Sequence, residues 1–261
     1  MNRAMGRLAA IAVFLIAQAG LAGAAEVKVF STIGVQTALE ELAPKFEQAS
    51  GHKLNITWAT AAILVKRVQV GETADLMVLT KQSLDALTKD GKAAEGPDAA
   101  FASSGMAVVV KKGALKPDIS TPDAYKKTLL EAKAIAYSDP AAGGASGVFF
   151  AKTLDRMGMA DQMKAKTKHP PPSGNSALLV VNGEADLAIQ QEPEVMSVAG
   201  VDVVGPPPGD LNNITVYSAG ISAGTQQADA ANALIRFLHT PEAAAALKAK
   251  GLKPVDAPKG T

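Results

Sequence analysis

The sequence predicts an α/β protein, and three observations carry that reading. Strand-like and helix-like patterns alternate from residue 26 onward, the signature of a sheet whose parallel strands are joined by helices. The stretches ADLMVLT (residues 74–80) and ADLAIQ (185–190) are near-continuous apolar runs, as expected of strands covered on both faces. The connections after several strands are short and small-sided: STIG, TAA and the glycine-rich SDPAAGGASGVFF at 138–150. On sheets of this kind ligands bind beyond the carboxyl ends of the strands.

In chain order, EVKVFS (26–31) places Val27 and Val29 on one face of a first strand. A helix follows in which Val35, Leu39, Leu42 and Phe46 recur at helical spacing, with Pro44 as an expected kink and Gly51 as the stop. LNITWA (54–59) is the next strand. Its helix opens at Thr60 and ends at Gly71, and the buried strand at 74–80 leads into a helix over 81–90. FASSGMAVVV (101–110) reads as one long apolar strand with a serine pair near its start. Thr121 and Pro122 form the N-cap and first position of another helix. The strand at 134–137 precedes the glycine-rich loop, and the pattern of Val148, Phe149, Ala151, Leu154 and Met157 predicts a helix after it. Residues 161–168 read as an exposed helix. The stiff run HPPPSGNS (169–176) delivers Ser173–Ser176 to a further helix start. After the strand at 185–190 stands the polar cluster Gln190-Gln191-Glu192, where a ligand would sit. Short and long strands at 201–204 and 214–222 precede two closing helices.

The first residues bound the class. Arg3 and Arg7 precede an apolar core over 8–21, and Ala22-Gly23-Ala24 fits a cleavage site, so residues 1–24 read as a secretory signal peptide and the expected location is the periplasm. An uncleaved anchor is the alternative. Loss of the two arginines takes the net charge from +1 to about −1, which argues against nucleic acid as partner. With no cysteine there is neither a disulfide framework nor a thiolate metal site. No metal and no cofactor are expected, and the chain is expected to work as a monomer.

The loop at 138–150 is the strongest local signal. Small residues let a ligand reach the backbone, and the helix that follows starts with N–H groups lacking intrahelical partners and with a positive dipole end. Together these favour an anion; a snug βα turn is the bland alternative. Catalytic signatures are absent: Gly144-Ala145-Ser146-Gly147-Val148 misses G-x-S-x-G at its last position, and the loop lacks the Lys-Ser/Thr ending of a phosphate-binding loop.

The ordered stretches VKVFSTIGVQTALEELAPKFEQASG, VGETADLMVL, SSGMAVVVKKG, AYSDPAAGGASGVFFAKTLDRMG, NGEADLAI and IRFLHTPEAAAALKAKGL resemble the periplasmic solute-binding proteins of ABC importers, specifically the molybdate-binding branch. The resemblance implies a type II periplasmic-binding-protein fold: two α/β lobes, each a mostly parallel sheet flanked by helices, with the ligand cleft between them. Lobe one would take residues 25–104 and 215–261 and lobe two 105–214, with the long strands around 103–110 and 214–222 as the crossings. It also implies an oxyanion held by hydroxyls, backbone N–H groups and a tyrosine, and an importer permease as partner.

By order and spacing, the family's first serine falls at Gly34, its serine-rich helix start at Thr60-Ala61-Ala62, its tyrosine at Gln191, and two backbone donors at Ser146 and Ser173. Hydroxyls are lost at some of these positions and gained at others, a poor match for a small oxyanion whose every oxygen needs a partner. The expected ligand is therefore a small organic anion, a di- or tricarboxylate, rather than molybdate or tungstate. The expected ligand-binding residues are Thr32, Ile33, Gly34, Thr60, Ala61, Ala62, Arg67, Ser104, Ser146, Ser173 and Gln191, Arg67 as a bidentate carboxylate grip if it reaches the cleft. Two functions fit: the substrate-binding component of an importer, or a cofactor-independent aconitate isomerase, since periplasmic aconitate isomerases look similar. The second needs a proton carrier. Glu192, His169 and Asp139 are the candidates, each with a structural alternative; Glu192 and Glu194 both stand near the expected ligand end and also fit the acidic first turn of a helix.

Overall fold

The computed structural model describes residues 24–94 and 99–256. The signal-peptide expectation lies, but for its last residue, outside the described residues. In chain order the elements are β1 (Glu26–Thr32), a 3₁₀ turn (Ile33–Val35), α1 (Gln36–Ser50), β2 (Lys53–Ala59), α2 (Ala61–Gln69), β3 (Leu76–Thr80), α3 (Lys81–Lys89), β4 (Ala93–Ala94) and β5 (Ala100–Ser104). Then come β6 (Met106–Lys111), α4 (Pro122–Glu131), β7 (Ile135–Tyr137), a 3₁₀ turn (Pro140–Ala142), α5 (Ala145–Arg156), α6 (Ala160–Lys164), β8 (Thr167–Lys168), α7 (Ala177–Val181), β9 (Leu187–Gln191) and α8 (Glu192–Met196). The chain closes with β10 (Val201–Gly205), a 3₁₀ turn (Gly209–Leu211), β11 (Thr215–Ser222), α9 (Ala228–Leu238), α10 (Pro241–Ala249) and β12 (Lys253–Pro254).

Among the described residues these strands form two sheets, giving the two-lobed α/β fold. The first runs β12-β5-β11-β3-β1-β2, with β4 on β11; the second runs β10-β6-β9-β7-β8. Both sheets are mixed, which corrects the expectation of mostly parallel ones. Parallel pairing is confined to β2–β1–β3 and to β9–β7–β8. A parallel pair needs a crossover connection, which helices supply here. β11 in the first sheet and β6 in the second run opposite to those parallel strands, so their pairings are antiparallel, while β5 runs with β1 and β3.

The alternation of side chains gives each sheet two buried faces. In the first, Val29, Leu76 and Val78 pack with α1, α9 and α10, while Phe30, Met77 and Leu79 pack with α2 and α3. In the second, Val108, Ile135 and Ile189 share a cluster with Tyr125, Phe150 and Leu154, and Ala107, Val109 and Ala188 face α7 and α8. Each such fully buried aliphatic side chain stabilises the fold by roughly 1.5–3 kcal/mol.

The stretch read as one strand over 101–110 is two, broken at Gly105, and its halves belong to different sheets. The return passage precedes β11 rather than lying within it, since the whole of β11 pairs in the first sheet. The passages are tied together: Asn212 Oδ1 accepts from the Met106 amide at 2.8 Å, and a Cβ on Gly105 would stand 2.9 Å from Asn212 Nδ2. Gly105 carbonyl also accepts from the Glu192 amide at 3.0 Å. The stretch at 161–168 is helical only to Lys164, because Thr167 and Lys168 pair with β7.

The carboxyl ends of β1, β2 and β3 open toward those of β7 and β9. Between them Thr60 Oγ1 donates to Ala142 carbonyl at 2.9 Å, bridging the lobes. Gly147 holds α5 against the end of β7: a Cβ there would fall on Ser138 carbonyl, 2.9 Å from its carbon. Backbone cannot yield as a side chain can. Gly147→Ala is therefore expected to cost about 2 kcal/mol or more, read as a lowered urea midpoint with an unchanged slope.

Candidate anion-binding cleft

The cleft between the sheets spans about 510 Å³. One wall consists of Thr32, Ile33, Gly34, Thr60, Ala61, Thr80, Thr215 and Tyr217; the other includes Ser138, Asp139, Ala145, Ser146, Pro170, Pro171, Ser173, Gln191 and Glu194. Among the described residues no Lys, Arg or His lines it, and its ionisable side chains are two carboxyls and a tyrosine. An anion here must be held by hydroxyls and backbone N–H groups.

α5 supplies such groups. Its N-cap Gly144 has no side chain to satisfy the first turn, and Ala145 and Ser146 line the cleft. The unpaired N–H groups and the helix dipole therefore point positive charge at the space. At α2, by contrast, Thr60 spends an oxygen lone pair on the Ile63 amide and its proton on Ala142.

A buried hydrogen-bond chain forms the floor. Ser104 Oγ donates to Gln191 Oε1 at 2.7 Å, Gln191 Nε2 donates to Thr215 Oγ1 at 2.8 Å, and Tyr217 Oη lies 3.1 Å from Ser104 Oγ. Because the Ser104 proton is engaged by Gln191, the Tyr217 hydroxyl donates to Ser104. Burial, and secondarily Glu194, push the Tyr217 phenol well above its ordinary value, so it stays neutral. Tyr217 also explains Gly34: its ring carbons would lie 2.8 Å from a Cβ at that position. The phenol fills the room a side chain at 34 would need.

Glu194 is the unusual group. It lines the cleft from α8, and Gln190 Nε2 makes a short hydrogen bond to its Oε2. Burial pushes its carboxyl up to about 7, with the Gln190 bond opposing. Its side chain keeps partial accessibility because it faces the cleft, yet protein surrounds it. Asn175 Nδ2 fixes its backbone by donating to its carbonyl at 2.5 Å.

The structure brings Thr32, Ile33, Gly34, Thr60, Ala61, Ser146, Ser173, Gln191 and Asp139 to one cleft. It leaves others outside. Ala62 sits on the outer lip with Lys66, packed against Gly143 of the opposite lobe. Arg67 does not reach in: its guanidinium is bound to Glu72 through two nitrogens, one at 2.6 Å, and covers the Phe30 ring. Ser104 stands behind the wall, in the floor. His169 lies on the far side of the proline loop, its Nδ1 2.9 Å from Tyr137 carbonyl, in a separate hollow with Asp155 and Lys164. Glu192 turns away to pack beside Gly251. Asp139 also caps the turn after β7 through the Ala141 amide at 2.9 Å. Sequence reasoning missed Tyr217, Thr80 and Thr215; it set Glu194 near the ligand end of β9 and in an acidic first helical turn, where it stands, but did not name it as a proton carrier. The available signal was Gln190 and Glu194 four residues apart across a strand-to-helix junction. Among the described residues no group of His, Asp and Glu is placed to hold a metal ion.

The raised Glu194 value has a stability consequence. The folded protein keeps a proton that the unfolded chain releases near 4.5. The stabilisation is complete below that pH and is lost as the pH rises through about 7. The loss is on the order of 3 kcal/mol by pH 8. Glu194→Gln should remove this dependence: between pH 5 and 8 the wild-type melting temperature falls relative to the variant. Parallel curves in calorimetry would reject the assignment.

The family model for bacterial extracellular solute-binding proteins matches residues 27–253. An aconitate isomerase of a Pseudomonas species is 37% identical over 235 residues, 88% of each chain. The molybdate-binding protein ModA of Escherichia coli is 24% identical over 240 residues, 91% of this chain and 93% of that one. The structure of the periplasmic molybdate-binding protein of Azotobacter vinelandii superposes with a TM-score of 0.69 at 22% identity, covering 87% of this chain and 98% of the other, which shows the shared fold. With a family model covering nearly all of its described length, the chain belongs to the bacterial extracellular solute-binding proteins.

Proposed function

We propose that this protein is a periplasmic, cofactor-independent isomerase of aconitate, a solute-binding fold turned to proton transfer. The observation that carries the reading is Glu194, a carboxyl whose pKa burial pushes up to about 7, in a cleft whose described lining contains no lysine, arginine or histidine. A proton carrier is most effective when its pKa lies near the working pH. The 37% identity to an aconitate isomerase supports the same reading.

The chemistry is an allylic proton shift. Glu194 carboxylate takes a proton from the substrate methylene. The C–H electron pair enters the allylic system, and the double bond moves as negative charge spreads onto the adjoining carboxylate. Glu194 returns the proton to the former vinyl carbon, and the net reaction neither gains nor loses atoms. The developing charge is met by the first N–H groups of α5 and by the Ser146 and Ser173 hydroxyls, donors that need no reorganisation. The lobes, taken as 25–104 with 215–261 and as 105–214, close on the substrate by a hinge.

A second reading keeps the same cleft and ends at binding: delivery of an organic di- or tricarboxylate to an importer permease. The family membership and the hydroxyl-lined wall favour it. One experiment separates the two. The purified protein is incubated with cis- or trans-aconitate and followed by proton NMR, beside a thermal-shift series with molybdate, tungstate, sulfate and citrate. The expected result is stabilisation by aconitate with interconversion of its isomers, and a fall in kcat of about 100-fold or more in Glu194→Gln. Stabilisation without interconversion supports the importer component; stabilisation by molybdate alone overturns both.

A further inference from the structure

We infer that Gln190 is a positioning residue that holds Glu194 in one orientation and decides which of its oxygens carries the mobile proton; the inference rests on the reading of Glu194 as proton carrier. Gln190 is fully buried and lies on β9, in register with Ala107 of β6. Its Oε1 accepts from the Ser176 amide at 2.8 Å and from Ser176 Oγ at 2.7 Å. A backbone N–H can only donate, so the amide oxygen must face Ser176. The NH₂ group is thereby turned the other way, to Glu194 Oε2, with a longer contact to Gly174 carbonyl at 3.4 Å. An NH₂ group has no lone pair to offer, so Oε2 must be the accepting oxygen. The proton of neutral Glu194 is left to Oε1, on the carboxyl that lines the cleft.

Two consequences follow for the site. A donor fixed on Oε2 favours the ionised form and offsets part of what burial does. The orientation depends on the Ser173–Ser176 loop, since Ser176 is what prevents the amide from flipping. Ser173 has a left-handed backbone, φ 60, and lines the same cleft. Loop position and the basicity of Glu194 are thus joined through one amide. Of the other ionisable groups around the carboxyl, Tyr217 of β11 and Asp139 after β7 line the cleft, and Glu192 on the same helix stands near Lys253.

The test uses the full chain and reads proton binding directly, so it does not require activity. Carbon-13 NMR follows the Glu194 carboxyl, and nitrogen-15 NMR follows the Gln190 side-chain amide, from pH 5 to 9. In the wild type both signals should move with one midpoint. Gln190→Met, which removes the donor at similar volume, should raise the Glu194 midpoint by about one pH unit and shift the acid limb of the kcat/KM profile with it. Ser176→Ala keeps the backbone N–H and should leave the midpoint within about 0.3 unit. A Gln190 amide that ignores pH in the wild type overturns the inference even if Gln190→Met does not fold, as does a Gln190→Met midpoint equal to the wild type's. Coupled titration in a protein that does not interconvert aconitate isomers would uphold the Gln190–Glu194 link while removing its catalytic use.

Discussion

The site depends on one constraint: among the described residues, its lining offers no cationic side chain to an anion that would enter it. Charge burial without compensation is costly. The compensation here is built from dipoles, and dipoles act only over a short range and in a fixed direction. That requirement explains why the carboxyl ends of five strands converge on one space and why α5 begins there without a capping side chain. It also explains the hydroxyls of Thr32, Thr60, Thr80 and Thr215 on one wall and of Ser146 on the other. A lysine or arginine could serve from several positions; a helix N-terminus has to be aimed by the whole sheet.

The same constraint shapes the polar floor. Ser104, Gln191, Thr215 and Tyr217 are all buried, and each finds a partner within the chain of bonds that links them. Their protons are directed along the floor, which leaves the walls to meet the ligand. Glu194 is one of two carboxyls in the cleft whose charge opposes an anion, the other being Asp139, and burial answers this at Glu194 by keeping it protonated over part of the neutral range. Groups set against the local field in this way are a common mark of functional sites.

Much of the fold was legible in the sequence, because alternation and apolar runs report burial directly. The strands ending at Thr32, Ala59 and Thr80, and the helix starts after them, lie where periodicity and capping residues place them. The break at Gly105 was not legible: the apolar pattern continues through it, and only pairing partners separate β5 from β6. The loops that end parallel strands announced themselves by small residues. Tyr217 did not, because β11 reads as an ordinary apolar strand and its phenol reaches the cleft by filling the space above Gly34. Arg67 was misjudged for a related reason: a chain pattern gives spacing along a helix but not the presence of Glu72, which holds it outside. The raised pKa of Glu194 depends on enclosure, which is a property of the assembled structure.

The ties at Gly105 bear on how such a molecule can move. Two independent straps between rigid bodies would permit rotation about either strap and sliding between them. Here Asn212, on one strap, grips the amide of Met106 on the other, and the start of α8 hangs from the same point through the Gly105 carbonyl. If the lobes hinge as proposed, passages joined in this way would bend together rather than twist independently. α8 carries Glu194 and starts at that junction, so the carboxyl would then travel less than Ser146 and Thr60 at the rim. Opening the cleft would therefore change the solvent around the carboxyl more than it changes its place.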